Sequence, residues 1–156
     1  MQPPSYHLAQ LNIGRMRAPL ESPVMADFVA QLDEINALAD GSPGFIWRLQ
    51  GEANNATDLR PYGDDRIIVN MSVWESLDAL KAYVYRSGHA SVMRRRREWF
   101  EHFDGMYMAL WWVEAGYIPT VGEAKERLLH LEKHGPTADA FTFKQPFAPP
   151  VALEHR

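Results

Sequence analysis

A few polar side chains stand out in a chain rich in apolar and aromatic residues, because each could move a proton or hold a polar atom of a small molecule. His89 follows Gly88 where a helical pattern breaks. An imidazole projecting from such a break can take or give a proton near neutral pH. Asn12 and Asn70 lie in segments that read as strands burying apolar atoms. A carboxamide left unsatisfied there costs on the order of 1–3 kcal/mol, so each must bond the other, water or a ligand. Tyr83 carries a hydroxyl that could act as an acid or a hydrogen-bond donor. Of the five tryptophans, Trp47, Trp74, Trp99 and Trp111 are candidates for the walls of an apolar pocket. The catalytic candidates are therefore His89, Asn12 and Tyr83. The substrate-binding candidates are Trp47, Asn70, Trp74, Arg96, Trp99 and Trp111. Each has a plainer reading as a core, cap or surface residue.

Arg94 to Arg97 form a run of four arginines beside tryptophans, a composition that raises nucleic acid as a partner. Consecutive helical positions step roughly 100° around the axis, so the four cannot face one partner. Arg96, flanked by Trp99 and Phe100, is the one expected to turn inward or towards a dimer contact, where a guanidinium needs an anion: Glu98, Glu101 or a substrate carboxylate. The chain carries a net charge of −4 and a pI near 5.8. A field of that sign repels phosphate backbones, so no nucleic acid is expected. Cysteine is absent, which removes disulfides, a thiolate nucleophile and Cys-based metal sites, and fits a cytoplasmic protein. No His/Asp/Glu cluster reads as a metal site. No apolar run has the length of a membrane span, and the N-terminus lacks a signal-peptide pattern.

The elements that must position these residues follow from periodicity. "YHLAQLNIGRM" alternates as a strand, with Leu8, Gln10 and Asn12 on one side. "VMADFVAQLDEINALAD" places Val24, Phe28, Leu32, Ile35 and Leu38 at helical spacing and stops at Gly41 and Pro43. "GFIWRLQGE" is a short strand, followed by the polar loop "ANNATDLRPYGDD". "RIIVNMSVWES" is a third strand, with Ile68, Asn70, Ser72 and Trp74 on one face. Ser76 caps a helix with Leu77, Leu80 and Val84; Ser87 and Gly88 interrupt it, and a second piece carries Val92, Met93, Trp99, Phe100 and Phe103. "MYMALWWVEAGY" is the fourth strand. A further helix opens with a Thr120/Glu123 capping box, and the extended "AFTFKQPFAPP" arm places Phe141, Phe143 and Phe147 over an apolar groove.

The order β-α-β-β-α-β predicts an α+β, ferredoxin-like fold: a four-stranded antiparallel sheet with two helices on one face. The 156 residues suit one domain, with the core over 6–117 and a C-terminal helix and arm over 118–156. The second face of the sheet, with Ala9, Leu11, Ile13, Ile67, Val69, Met71 and Val73, is then apolar and needs a cover. A second copy, packed sheet against sheet, is the expected cover, giving a homodimer.

This topology, with "VWES" closing the third strand and opening a long broken helix, resembles the dimeric α/β-barrel superfamily. That group includes antibiotic biosynthesis monooxygenases, haem-degrading monooxygenases and muconolactone isomerases. "GHASVMRRRREWFEHF", "MALWWVEAGYIPTVGEAKERL" and "GPTADAFTF" together resemble, over nearly the whole chain, an uncharacterised bacterial domain-of-unknown-function family near those monooxygenases. The resemblance implies a pocket between the sheet and its helices, faced by the break at His89. It implies a small-molecule enzyme, a cofactor-independent oxygenase of an aromatic or polyketide-like substrate of secondary metabolism. It also leaves open an isomerase, cyclase or lyase using the same pocket, a haem-binding protein, and a non-catalytic dimeric ligand-binding protein. Haem-degrading members use a strand-one Asn, a helix Trp and a ligand His. Asn12 matches the first, Tyr83 stands near the second and Met93 near the third, with His89 one turn earlier, so no cofactor is the leading expectation and haem the alternative.

Overall fold

The computed structural model describes residues 6–19, 21–50, 66–86, 96–101 and 106–149. Strand β1 (Tyr6–Arg15) lies inside the sheet, paired antiparallel with β3 (Ile67–Trp74) on one side and β4 (Met108–Glu114) on the other. The short edge strand β2 (Phe45–Arg48) pairs with β3, giving the order β2-β3-β1-β4. The expected ferredoxin-like α+β arrangement is the one observed.

Helix α1 (Ala26–Asp40) starts two residues later than its periodicity predicts, because Pro23–Met25 forms a 3-10 turn whose Ser22 Oγ accepts from Val24 N. Gly44, at φ 83°, turns the chain into β2; a Cβ there would stand 2.5 Å from the Cβ of Ala79. Helix α2 (Leu77–Arg86) opens with Ser76 Oγ accepting from Ala79 N. The next described helix, α3 (Arg96–Trp99), ends before Phe100. Phe100 instead forms a bridge with Met16 and lays its ring on Gly14, where a Cβ would stand 2.7 Å from it. The backbone of Arg17 donates to Trp99 O and that of Glu101 to Arg15 O. Pairing with the end of β1 therefore wins over the helical continuation that the apolar spacing predicts. Helix α4 (Val121–His134) carries the expected capping box, with Thr120 Oγ1 accepting from Glu123 N at 3.1 Å.

The expectation of an open sheet face is corrected. Ala9, Leu11, Ile13, Ile67, Val69, Met71 and Val73 are all buried within the single chain. They form one core with Ala109, Trp111 and Val113 of β4 and with Ala124, Leu128 and Leu131 of α4. A helix that spaces small and branched apolar residues three to four apart presents a stripe that an apolar sheet can bury. The C-terminal helix therefore covers this face within the chain, where the sequence predicts a second copy.

The arm returns around the outer edge of β4. Phe141 exchanges two backbone hydrogen bonds with Leu110 at 2.8 and 2.9 Å, closing that edge. Trp112 Nε1 donates to Phe147 O at 2.8 Å. The arm therefore packs on its own subunit: Ala140 joins the core beneath α4, and Phe141 and Phe143 lie on the opposite face of the sheet.

Candidate functional site

Helices α1 and α2 face the other side of the sheet, where the apolar residues divide into two clusters. One gathers Leu8, Ala39, Trp74, Leu80, Tyr83, Leu110 and Phe141. The second gathers Met16, Met25, Ile68, Trp99 and Phe100, with Phe28 of α1 packed against it. Helix α1 touches both, through Phe28 near its start and Ala39 near its end. Between the clusters the same face of β1 and β3 is polar.

The register explains this strip. Asn12 lies opposite Asn70, Gln10 opposite Ser72 and Leu8 opposite Trp74, so these side chains share a face in successive rows. Gln10 Nε2 donates to Asn70 Oδ1 at 2.6 Å and to Ser72 Oγ at 2.9 Å. Asn12 Nδ2 donates to Gln10 Oε1 at 3.1 Å and to Asn70 Oδ1 at 3.4 Å. Trp74 Nε1 donates to Ser72 Oγ at 2.8 Å. Gln10 and Ser72 are buried, Asn12 is half-buried and Asn70 is exposed. Asn70 is the one exposed residue of β3, in the middle of a strand whose other residues are buried. Solvent thus reaches the sheet between the two aromatic clusters, and the floor it meets is made of amides.

One row further towards the edge, Arg48 lies opposite Ser72. Arg48 is buried and grips Asp40 at the end of α1, Nε to Oδ1 at 2.8 Å and the guanidinium to Oδ2 at 3.2 Å. A buried guanidinium is tolerable because the carboxylate meets it in two places.

The catalytic and binding candidates distribute unevenly over this framework. Asn12, Asn70 and Trp74 come together in the hydrogen-bonded strip. Tyr83 joins them indirectly: its ring stacks on Trp74, while its hydroxyl donates to the Ile35 carbonyl of α1 at 3.2 Å. Burial pushes the Tyr83 hydroxyl well above the usual tyrosine range, with Arg48 pulling down and Asp40 pushing up. Trp99 belongs to the second cluster, 5.5 Å from the ring of Phe28. Trp47 and Trp111 were expected to wall the same pocket; both instead pack in the core beneath α4, on the opposite face. Their positions opposite Val73 and Ala9 put them there, since side chains alternate along a strand. His89 lies outside the described residues, as does the side chain of Arg96, whose backbone belongs to α3.

Gln10, Ser72 and Arg48 were not singled out from the sequence. Gln10 and Ser72 share the parity of Asn12 and Asn70, and that was the available signal. Among the described residues no three His, Cys, Asp or Glu side chains gather in metal-binding geometry. No described helix is long and apolar enough to cross a membrane.

The fold and this strip define an α+β, ferredoxin-like protein with a polar floor between two aromatic clusters. The chain belongs to the family DUF3291, a domain of unknown function, which matches residues 7–156. No curated protein matches the chain. Among solved structures it is similar to SnoaB, a cofactor-independent oxygenase from Streptomyces nogalater, in a mutant form (18% identity, 72% of this chain and 95% of that one, TM-score 0.47). It is also similar to NE2512, a protein of unknown function from Nitrosomonas europaea (15% identity, 74% and 96%, TM-score 0.47). A third is a candidate antibiotic biosynthesis monooxygenase from Chloroflexus aurantiacus (15% identity, 74% and 99%, TM-score 0.41).

Proposed function

We propose that the chain is a small-molecule enzyme of the antibiotic biosynthesis monooxygenase-like type that oxygenates an aromatic or polyketide-like substrate without a cofactor. The observation that carries this reading is the solvent-reached strip of Asn12, Asn70, Gln10 and Ser72 between two aromatic clusters. Few polar groups converging in an aromatic-lined gap are what a ligand site requires. Uncharged amides hold a phenol or enol oxygen by hydrogen bonds, and they stabilise the anion that forms when its proton leaves. An electron-rich anion of that kind reacts with dioxygen directly: a CH2 group becomes a carbonyl, and the second oxygen atom leaves as water with the two hydrogens.

In this reading Asn70 donates to the oxygen that becomes the anion, Asn12 orients the substrate beside it, and Trp74 walls the gap. Tyr83 holds Trp74 in place, and His89 is the proton acceptor. Within the described strip no side chain titrates near neutral pH. That observation also favours a second reading, a ligand-binding protein without catalysis.

Oxygen uptake and product mass distinguish the two. A panel of electron-rich phenols and enolisable aryl ketones is offered in chelator-treated buffer, and one oxygen atom from labelled dioxygen should enter the product. Asn70→Ala should lower kcat/KM by about 100-fold, the scale of losing one anion-stabilising donor. Substrate rearranged without oxygen uptake would point to an isomerase, cyclase or lyase. A sharp, saturable Soret band on hemin titration would point to haem. Ligands bound but unchanged would leave a binding protein.

A further inference from the structure

We infer that Gln10 is a positioning residue that fixes which atoms Asn12 and Asn70 present to a ligand, and that the site is built for a neutral molecule carrying a hydroxyl beside a carbonyl. The inference rests on the reading of this strip as a ligand site.

Hydrogens and lone pairs in the strip can be counted one by one. Both hydrogens of Gln10 Nε2 are engaged, one by Asn70 Oδ1 and one by Ser72 Oγ. Both hydrogens of Asn12 Nδ2 are engaged, one by Gln10 Oε1 and one by Asn70 Oδ1. Asn70 Oδ1 therefore receives two donors, which fills its two lone pairs. What remains is Asn12 Oδ1, an acceptor, and Asn70 Nδ2, a pair of donors; neither has a partner among the described residues. Asn12 and Asn70 face each other across β1 and β3, so acceptor and donor stand side by side. A ligand hydroxyl donates to Asn12 Oδ1, and an adjacent carbonyl accepts from Asn70 Nδ2. A hydroxyaryl ketone or the enol of a diketone has that pattern. A catechol can fill the same two positions, but the hydrogen of the hydroxyl that accepts from Asn70 is left without an acceptor in the strip, so it fits less well.

Gln10 is where the polarity is set, because among the described residues it alone hydrogen-bonds Asn12, Asn70 and Ser72. It is buried, so the surrounding packing holds its carboxamide. Gln10→Glu keeps the shape and removes both donor hydrogens. Ser72 Oγ, which now accepts from Gln10 and from Trp74, still has its own hydrogen to turn towards the new carboxylate. Asn70 must turn its Nδ2 inward to meet the carboxylate, and Asn12 keeps its own there. Both Oδ1 atoms then face the ligand, and the site becomes a pair of acceptors.

Two measurements test this on the full chain. The first needs no ligand: hydrogen exchange of the assigned side-chain NH2 groups by NMR. In the wild type Asn12 NH2 should exchange about tenfold more slowly than Asn70 NH2, and in Gln10→Glu both should be slow, as engaged hydrogen bonds require. Free exchange at Asn12 with protection at Asn70 in the wild type would mean that the amides run the other way, and would overturn the assignment. So would an Asn70 rate unmoved by Gln10→Glu. The second uses two probes with the same number of non-hydrogen atoms, 2′-hydroxyacetophenone and 4-ethylcatechol, with binding read by calorimetry. The wild type should prefer the hydroxy ketone by about tenfold and Gln10→Glu should prefer the diol, because one mismatched hydrogen bond is worth about that factor. An unchanged preference would overturn the specificity. The predicted exchange pattern with neither probe binding would leave the amide assignment standing, and would sink the ligand-site reading on which the substrate class rests.

Discussion

The ring of Tyr83 lies on the indole of Trp74, with centroids 5.1 Å apart and planes 28° from parallel. The stack ties α2 to β3, and the Tyr83 hydroxyl ties α2 to the Ile35 carbonyl of α1. Trp74 passes this restraint to Ser72 through its N–H. Tyr83→Phe keeps the stack and removes one hydrogen bond, so urea denaturation should show a loss of about 0.5–1.5 kcal/mol. Ligand binding should be unchanged. A large loss of binding in a variant that still folds would mean that the hydroxyl itself touches the ligand.

The same hydroxyl gives a pH dependence with a definite sign. Burial raises the folded-state pKa of Tyr83 above its ordinary value of 10.0. Above that pH the unfolded chain releases a proton that the folded chain keeps, so the stabilising contribution is present below pH 10 and is lost as pH rises beyond it. Thermal melts should therefore fall more steeply above that pH for the wild type than for Tyr83→Phe. Parallel curves for the two proteins would contradict the buried placement.

Arg48 and Asp40 differ in exposure, 7% against 47% for their side chains. Removing the carboxylate takes two charge-assisted hydrogen bonds from a buried guanidinium, whereas removing the guanidinium leaves a carboxylate that water can reach. Asp40→Asn should therefore be the more harmful, costing about 1–3 kcal/mol after allowance for the exposed partner. Arg48→Met, of similar volume, should cost less. The reverse order in chemical denaturation would show that the pair does not govern this corner of the sheet.

Gly44 holds a positive φ and leaves no room for a side chain beside Ala79. Gly44→Ala adds backbone strain to a steric clash, and should destabilise by about 2–4 kcal/mol. Gly116, also at positive φ but with open space around it, gives the comparison: Gly116→Ala should cost only the backbone part, about 1 kcal/mol. Equal losses at both positions would show that the clash at Gly44 relaxes freely.

Leu128 is part of the seal that α4 makes over the sheet. Leu128→Ala should cost about 2–5 kcal/mol, the range for a buried leucine. Leu128→Asp should loosen α4, expose the apolar face and cause concentration-dependent association in sedimentation velocity. If a homodimer forms in the wild type, its interface should lie elsewhere, and disrupting α4 should add a new association rather than abolish the existing one. A wild-type dimer lost on Leu128→Asp with the fold intact would restore the sheet face as the contact.

Local chemistry makes much of this protein readable from its sequence. The alternation in "YHLAQLNIGRM" and "RIIVNMSVWES" set Asn12 with Gln10, and Asn70 with Ser72 and Trp74, on one face of each strand, since that follows from a period of two. The Thr120/Glu123 box, the Ser76 cap and the antiparallel β-α-β-β-α-β order are equally local, or follow from connection rules. What the linear pattern leaves free is which face meets which partner. An apolar sheet face is covered as well by a helix of the same chain as by a second copy, because burial of apolar area has no direction. Only the docking of α4 chose between them. The register of β2 and β4 put Trp47 and Trp111 on that face rather than beside Asn12, and the docking of α4 made it a core. The register of β1 on β3 was likewise tertiary. By pairing Asn12 with Asn70 and Gln10 with Ser72, it turned four scattered polar residues into one hydrogen-bonded floor.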